Sequence, residues 1–232
     1  MSFGLGDWIS MIGQVMDRLP LTLALLFVSL FFAIVIGIII AYIRLEKIPI
    51  LHQLATIYLS FTRSTPLVVQ LFLVYFGIPQ LLLVFGIDIN HWSRFVFVVI
   101  TFSLHTGAYL SEVFRSSYLA VGKDQLEAAY SVGMTYLQAL RRIMIPQAFR
   151  VALPNAGNHT IELLKDTALA FTIGMVDMMG QVLFIIGNNY GVGMFEIYVA
   201  IAIVYWGICI VIEAVISLIE RSLMKKHASI SH

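Results

Sequence analysis

Long apolar runs separated by short polar intervals set the frame of this chain. The first run, residues 19–43 (LPLTLALLFVSLFFAIVIGIIIAYI), is unbroken by charge, and about 20 such residues cross the hydrocarbon of a bilayer as a helix. It exceeds the apolar core of a secretory leader, about 7–15 residues, and ends at Arg44 rather than at a small-residue cleavage site. Four more runs follow: 54–77, interrupted by Arg63 and Pro66; 93–114; 160–186, polar at its start; and 195–219. The apolar stretch 78–89 is too short for another span. It predicts a loop or interfacial segment, with Pro79 and Asp88-Ile89-Asn90 as turn chemistry. The pattern predicts an all-α polytopic membrane protein with five transmembrane helices.

Composition agrees with a bilayer as solvent. The chain is 60% hydrophobic and 12% charged, with mean hydropathy +0.93, against about 25% charged residues in soluble domains. A net charge of +1 gives no footing for nucleic acid. The single cysteine, Cys209, excludes a disulfide framework within the chain. The six histidines read as structural. Lysine and arginine bias orients the spans. Arg44, Lys47, Arg115, Lys123, Arg141, Arg142, Arg150, Arg221, Lys225 and Lys226 fall on one side, and only Arg18 and Arg94 on the other. The basic side is therefore the expected cytoplasmic side. That division expects residues 1–18 as an extracytoplasmic segment, 19–220 as the membrane domain and 221–232 as a cytoplasmic tail. Trp92 and Tyr190 suit an outer aromatic belt.

The largest polar interval, 116–154, has a helical pattern of its own. Asp124 with Glu127 three residues on has the form of a capping box. Ala128, Ala129 and Val132 share one face, and Gly133 interrupts. Leu137, Leu140, Ile143 and Met144 then recur at helical spacing opposite Arg141 and Arg142. Pro146 ends or kinks this second piece, and Pro154 offers another break. Two short helices joined at Gly133 are predicted. Such an element either rests on lipid head groups or fits a groove on another protein.

Glu127-Ala128-Ala129, then Gly133, then Ile145-Pro146 resembles the EAA loop of ABC importer permeases. FTRSTPLVVQLFLVYFGIP (61–79), GAYLSEVFRSS (107–117), GKDQLEAA (122–129), LPNAGNHTIELLKDTAL (153–169) and IERSL (219–223) resemble the polar amino acid branch of that family, over roughly residues 18–223. Ser64 stands where a glycine is more usual, and Ala168 where a serine is common. The resemblance implies a type I permease fold with the N-terminus outside, in the bacterial cytoplasmic membrane, and a second permease copy, identical or similar, completing the pathway. It implies a dimer of separate ATPase subunits that binds ATP and magnesium, and an extracytoplasmic binding protein that delivers the substrate. The coupling residues would be Glu127, Ala128, Ala129, Gly133 and Pro146. The cargo would be a polar amino acid, with a sulfur-containing one such as cystine preferred. No cofactor is expected in this chain, and no Walker A sequence is present, so ATP hydrolysis belongs elsewhere.

Polar groups inside spans face a bundle interior or a pathway, because charge at bilayer depth costs about 2.5–3.5 kcal/mol on insertion scales. Arg63, Thr65 and Pro66 mark either a snorkelling arginine or a kink lining the pathway. Glu162, Lys165 and Asp166 can pair at i,i+3 and i,i+4. Glu112 and Arg115 are expected to pair locally. Gln70, Thr172 and Asp177 are pathway candidates, Asp177 either facing a substrate amino group or capping a helix. An ion-coupled secondary carrier working without an ATPase is the alternative; it would show an internal repeat, and none is visible. Ser103 and His105 lie two residues apart, on different helix faces, which speaks against a hydrolase.

Overall fold

The computed structural model describes residues 5–228, and among them the chain is helical without strands. A short helix α1 (Leu5–Met16) leads into α2 (Leu19–Leu45). The segment expected only as an extracytoplasmic lead thus contains a helix, and Met11 and Val15 bury against Val182, Ile185, Ile197 and Ile201.

The second run is divided. Helix α3 (Leu51–Ser64) ends before Pro66, α4 (Leu67–Phe72) begins after it, and the two arms are bent by 114°. Pro66 lacks the N–H that would bond the carbonyl of residue 62, and Thr65 before it is extended (φ −115°, ψ 140°), as the residue preceding proline prefers. A wide π turn, Leu73–Gly77, then carries α4 into α5 (Ile78–Leu83). Residues 78–83 are therefore helix, not the expected loop. Proline sits in the first turn of α5, where its missing N–H is harmless. The turn expected at 88–90 is present: Asp88 Oδ1 accepts from the Asn90 backbone N–H at 2.8 Å.

Helix α6 (Arg94–Ala120) is the most enclosed of the long helices. It packs on α2 at a seam of small residues. A Cβ at Gly107 would stand 2.9 Å from Ile36 Cγ2, and one at Gly37 would stand 3.1 Å from Leu110 Cβ. Close backbone approach of this kind drives helix association in lipid, where burial of apolar surface gives little.

The interval 116–154 forms α7 (Lys123–Ser131), α8 (Tyr136–Ala139) and a π turn, Leu140–Met144. The chain then enters α9 (Ile145–Asp166). Pro146 lies in the first turn of α9 and does not end the helix, because the π turn before it absorbs the misfit. Pro154 lies inside α9, which continues to Asp166, so the expected break there is absent. A tight 3-10 stretch, Thr167–Ile173, follows, then left-handed Gly174, then α10 (Met178–Asn188). The fourth span is thus broken, with a 47° bend. Helix α11 (Met194–Ala228) is continuous and carries much of the expected tail; residues 229–232 of that tail lie outside the described residues. The main core joins α2, α4, α6 and α9 through Leu25, Leu26, Leu71, Phe102 and Leu164.

Candidate functional site

The first candidate is the bent interval between α6 and α9. Gly122 (φ +83°) precedes α7, and Asp124 makes no capping bond. The capping box stands instead at the start of α8. There the Thr135 N–H donates to Gln138 Oε1 at 3.0 Å, and the Gln138 N–H reaches Thr135 Oγ1 at 3.4 Å. At the end of α7 the Gly133 N–H donates to the Tyr130 carbonyl (2.9 Å) and the Met134 N–H to the Ala129 carbonyl (3.1 Å). These two bonds are a Schellman motif with Gly133 (φ +78°) as its left-handed residue.

The bend is therefore fixed by hydrogen bonds, and its glycine is required for backbone conformation; the space around its missing Cβ is open. Ala129 and Ala139 are buried and anchor the element, while Glu127, Ala128 and Gly133 are exposed. Val132 (71% exposed) and Leu137 (72%) present apolar surface on either side of the bend. The Tyr136 hydroxyl donates to Glu46 Oε1 at 3.3 Å, which ties α8 to the end of α2. Desolvation, with Tyr118 and Glu46 nearby, pushes this phenol up to about 12, so it remains a donor at neutral pH.

At the same end, Glu112 is held between two guanidiniums. Its pair with Arg115 is the local one expected, at i,i+3, and Arg44 of α2 adds a second. Arg63 lines an open cleft with Arg44, Thr56, Leu59, Ser60 and Ser64. Thr65 Oγ1 donates back to the Phe61 carbonyl at 2.9 Å.

The second candidate is a half-open polar space between α6 and α9. His105, Thr106 and Tyr109 from α6, with His159, Glu162, Leu163 and Asp166 from α9, line a cavity of about 260 Å³. His159 Nδ1 lies 2.7 Å from Glu162 Oε2. The Tyr109 ring stands between the two imidazoles, with centroids 5.1 Å from His105 and 5.5 Å from His159. Glu162 thus pairs with a histidine one turn earlier, and Lys165 forms no salt bridge among the described residues, unlike the self-neutralising cluster expected. Chemically, the cavity offers two carboxylates, two imidazoles and a phenol around a space of small-metabolite size.

The three pathway candidates do not line this cavity. Gln70 is buried at the Pro66 break and bonded to its backbone. The Thr172 hydroxyl returns to the Leu169 carbonyl at 2.7 Å. Asp177 is fully buried and caps α10, its Oδ1 accepting from the Gly180 N–H at 2.9 Å; of its two readings, the cap is the one the geometry displays. Two of the histidines expected to be structural, His105 and His159, line this cavity. The signal for them was His105 with Tyr109 at i,i+4 and His159 with Glu162 at i,i+3, in two different helices.

The family of binding-protein-dependent transport system inner membrane components matches residues 33–225. The probable amino-acid permease protein YxeN of Bacillus subtilis (strain 168) is 43% identical over 227 residues, 95% of this chain and 97% of its own. The L-cystine transport system permease protein TcyL of the same organism is 42% identical over 91% of this chain and 88% of its own. The crystal structure of an amino acid ABC transporter with histidines is similar at TM-score 0.83 and 32% identity, covering 96% of this chain and 100% of that one.

Proposed function

The chain belongs to the family of binding-protein-dependent transport system inner membrane components, as the permease subunit of an amino-acid ABC importer, and we propose that the bent interval α7–Gly133–α8 is its ATPase-coupling element. The observation that carries this is the Schellman bend. It holds Val132 and Leu137 outward on a rigid corner while Ala129 and Ala139 anchor it. Lipid requires no hydrogen-bonded corner of this kind, whereas a groove on a partner does. A dimer of ATPase subunits, binding ATP and magnesium, grips this corner. A second permease copy completes the pathway, and a binding protein delivers cargo at the opposite face. ATP biases the permease between inward- and outward-facing states only through contacts that differ between them.

In this reading the lysine and arginine bias places the corner in the cytoplasm and the N-terminus outside, in the bacterial cytoplasmic membrane. The domain division at residues 18 and 220 follows from it. The cavity of His105, Tyr109, His159, Glu162 and Asp166 holds the amino acid in transit. Its carboxylates suit ammonium groups. Cystine, which has two, is the preferred cargo, supported by the 42% identity to the cystine permease protein.

The test is reconstitution with ATPase and binding protein. Gly133→Arg, which forces a residue with a Cβ into a left-handed backbone at about 1–2 kcal/mol, is expected to lower substrate-stimulated ATP turnover by about tenfold or more. Unchanged stimulation and uptake in that variant would sink the coupling assignment.

A further inference from the structure

At the break between α3 and α4, Pro66 leaves the Thr62 carbonyl without its helical donor. Gln70, one turn into α4, fills that role. Its Nε2 donates to the Thr62 carbonyl at 2.9 Å, and the same nitrogen lies 3.0 Å from the Thr65 carbonyl and 2.9 Å from Thr65 Oγ1. Carbonyl oxygens only accept, so two of them fix which end of the amide faces the break. The other end, Oε1, also only accepts. It lies 3.1 Å from His105 Nδ1. His105 must therefore carry its proton on Nδ1 whenever it is neutral. The remaining nitrogen, Nε2, is left as an acceptor on the far side of a ring that lines the cavity.

We propose that Gln70 fixes His105 as an acceptor for the ammonium group of the amino acid in the cavity, and that the same amide joins cavity occupancy to the break at Pro66. This rests on the cavity being the amino-acid site. Asp166 and the Glu162–His159 pair bring negative charge to the same space. His105 adds a neutral, directional acceptor that a bare carboxylate lacks. A ligand that pulls on His105 pulls on Oε1, and so on the bonds that hold the Thr62 and Thr65 backbone. Gln70 is thus a positioning residue that touches no ligand, and His105 is the group that does.

The experiment uses the whole transporter in lipid, with ATPase and binding protein. Ring-nitrogen spectra of ¹⁵N-histidine-labelled protein are compared with those of His105→Asn to assign the signal. Probes are L-cystine, an equimolar mixture of the common L-amino acids, and 3,3′-dithiodipropionate, which keeps the disulfide and both carboxylates of cystine but has no ammonium group. Without ligand, His105 should show Nδ1–H with unprotonated Nε2, and Gln70→Leu should lose that preference. A transported amino acid should shift the Nε2 signal, and dithiodipropionate should not. His105→Leu should raise the KM for uptake by about tenfold, equivalent to roughly 1.4 kcal/mol, with little change in maximal rate. His105→Asn, whose amide can still donate to Gln70 and accept in the cavity, should recover most of that loss. An Nε2–H tautomer, an equal response to dithiodipropionate, or an unchanged KM in His105→Leu would overturn the proposal. Uptake of an amino acid with the His105 signal unmoved overturns it alone. Uptake of neither amino-acid probe overturns the transport reading, and this proposal with it.

Discussion

Between α3 and α4 the chain bends by 114°, and between the α9 arm and α10 it bends by 47°. The first break is made by proline and mended by a neutral amide that reaches backward, from Gln70 to the carbonyls before Pro66. The second is made by left-handed Gly174 and mended by a carboxylate that reaches forward, from Asp177 to the first turn of α10. The second break also draws on its neighbours. Arg94 Nη1 donates to the Gly174 carbonyl at 3.0 Å, and the Met178 N–H reaches Thr22 Oγ1 at 3.3 Å. The difference lies in what is left over. The amide at the first break has a spare acceptor, and that acceptor leads through His105 to the cavity. Asp177 at the second has a spare oxygen, Oδ2, which is buried and finds no partner among the described residues. Backbone repair in the absence of water is common to both, but only the first is hydrogen-bonded to the candidate site.

Substitutions at the two breaks undo or sharpen this contrast. The largest effect is expected at the second break. A Cβ at Gly180 would stand 2.4 Å from the Met175 carbonyl oxygen, backbone against side chain with nothing flexible to yield. Gly180→Ala should cost about 3 kcal/mol or more, seen as a loss of folded yield and a lowered melting temperature in detergent. A wild-type melting curve would mean that the turn has another route. Next is Gln70→Leu, which orphans the Thr62 carbonyl and should destabilise by about 1–3 kcal/mol. Adding Pro66→Ala supplies a backbone N–H and lets Thr65, extended beside the proline, turn helical so that this N–H reaches the Thr62 carbonyl. The double variant should therefore be more stable than the sum of the two single changes, and strict additivity would show that the amide does not mend the break. The smallest effect is Asp177→Asn. It keeps the capping oxygen and exchanges a buried charge for a buried, equally unpartnered amide, so the two desolvation costs offset and the melting temperature in detergent should report a change under about 1 kcal/mol. Asp177→Ala, which loses the cap, should cost about 1 kcal/mol.

These outcomes bear on what the sequence could disclose. The apolar runs marked the long helices, and Pro66 marked a real break, because hydrophobic length and a missing N–H are local properties. Pro154 has the same missing N–H and breaks nothing. The difference is in the residue before each proline, extended at Thr65 and helical at Leu153, a choice of backbone that the proline alone does not dictate. Asp124 with Glu127 and Thr135 with Gln138 present similar capping patterns, yet only the second is used, because Gly122 enters α7 with a positive φ. The site was less legible than the fold. Gln70 and Asp177 stood out as polar residues inside spans and as pathway candidates, but their partners decide their roles, and His105 is 35 positions from Gln70. Arg44 is 68 positions from Glu112. The bend at Gly133 was readable for the opposite reason: the glycine and the carbonyls of Ala129 and Tyr130 that close the turn lie within about one turn of chain.

Helix α6 has one further consequence. It runs 27 residues without a break, about 40 Å at 1.5 Å per residue, with His105 near its middle and the Gly122 turn into α7 just beyond its end. Glycine seams clamp it to α2, and Glu112, itself paired with Arg115, ties its far part to Arg44. A stiff rod fastened in this way cannot absorb a push by flexing. Displacement applied at one tip has to arrive at the imidazole as tilt or translation of the whole shaft.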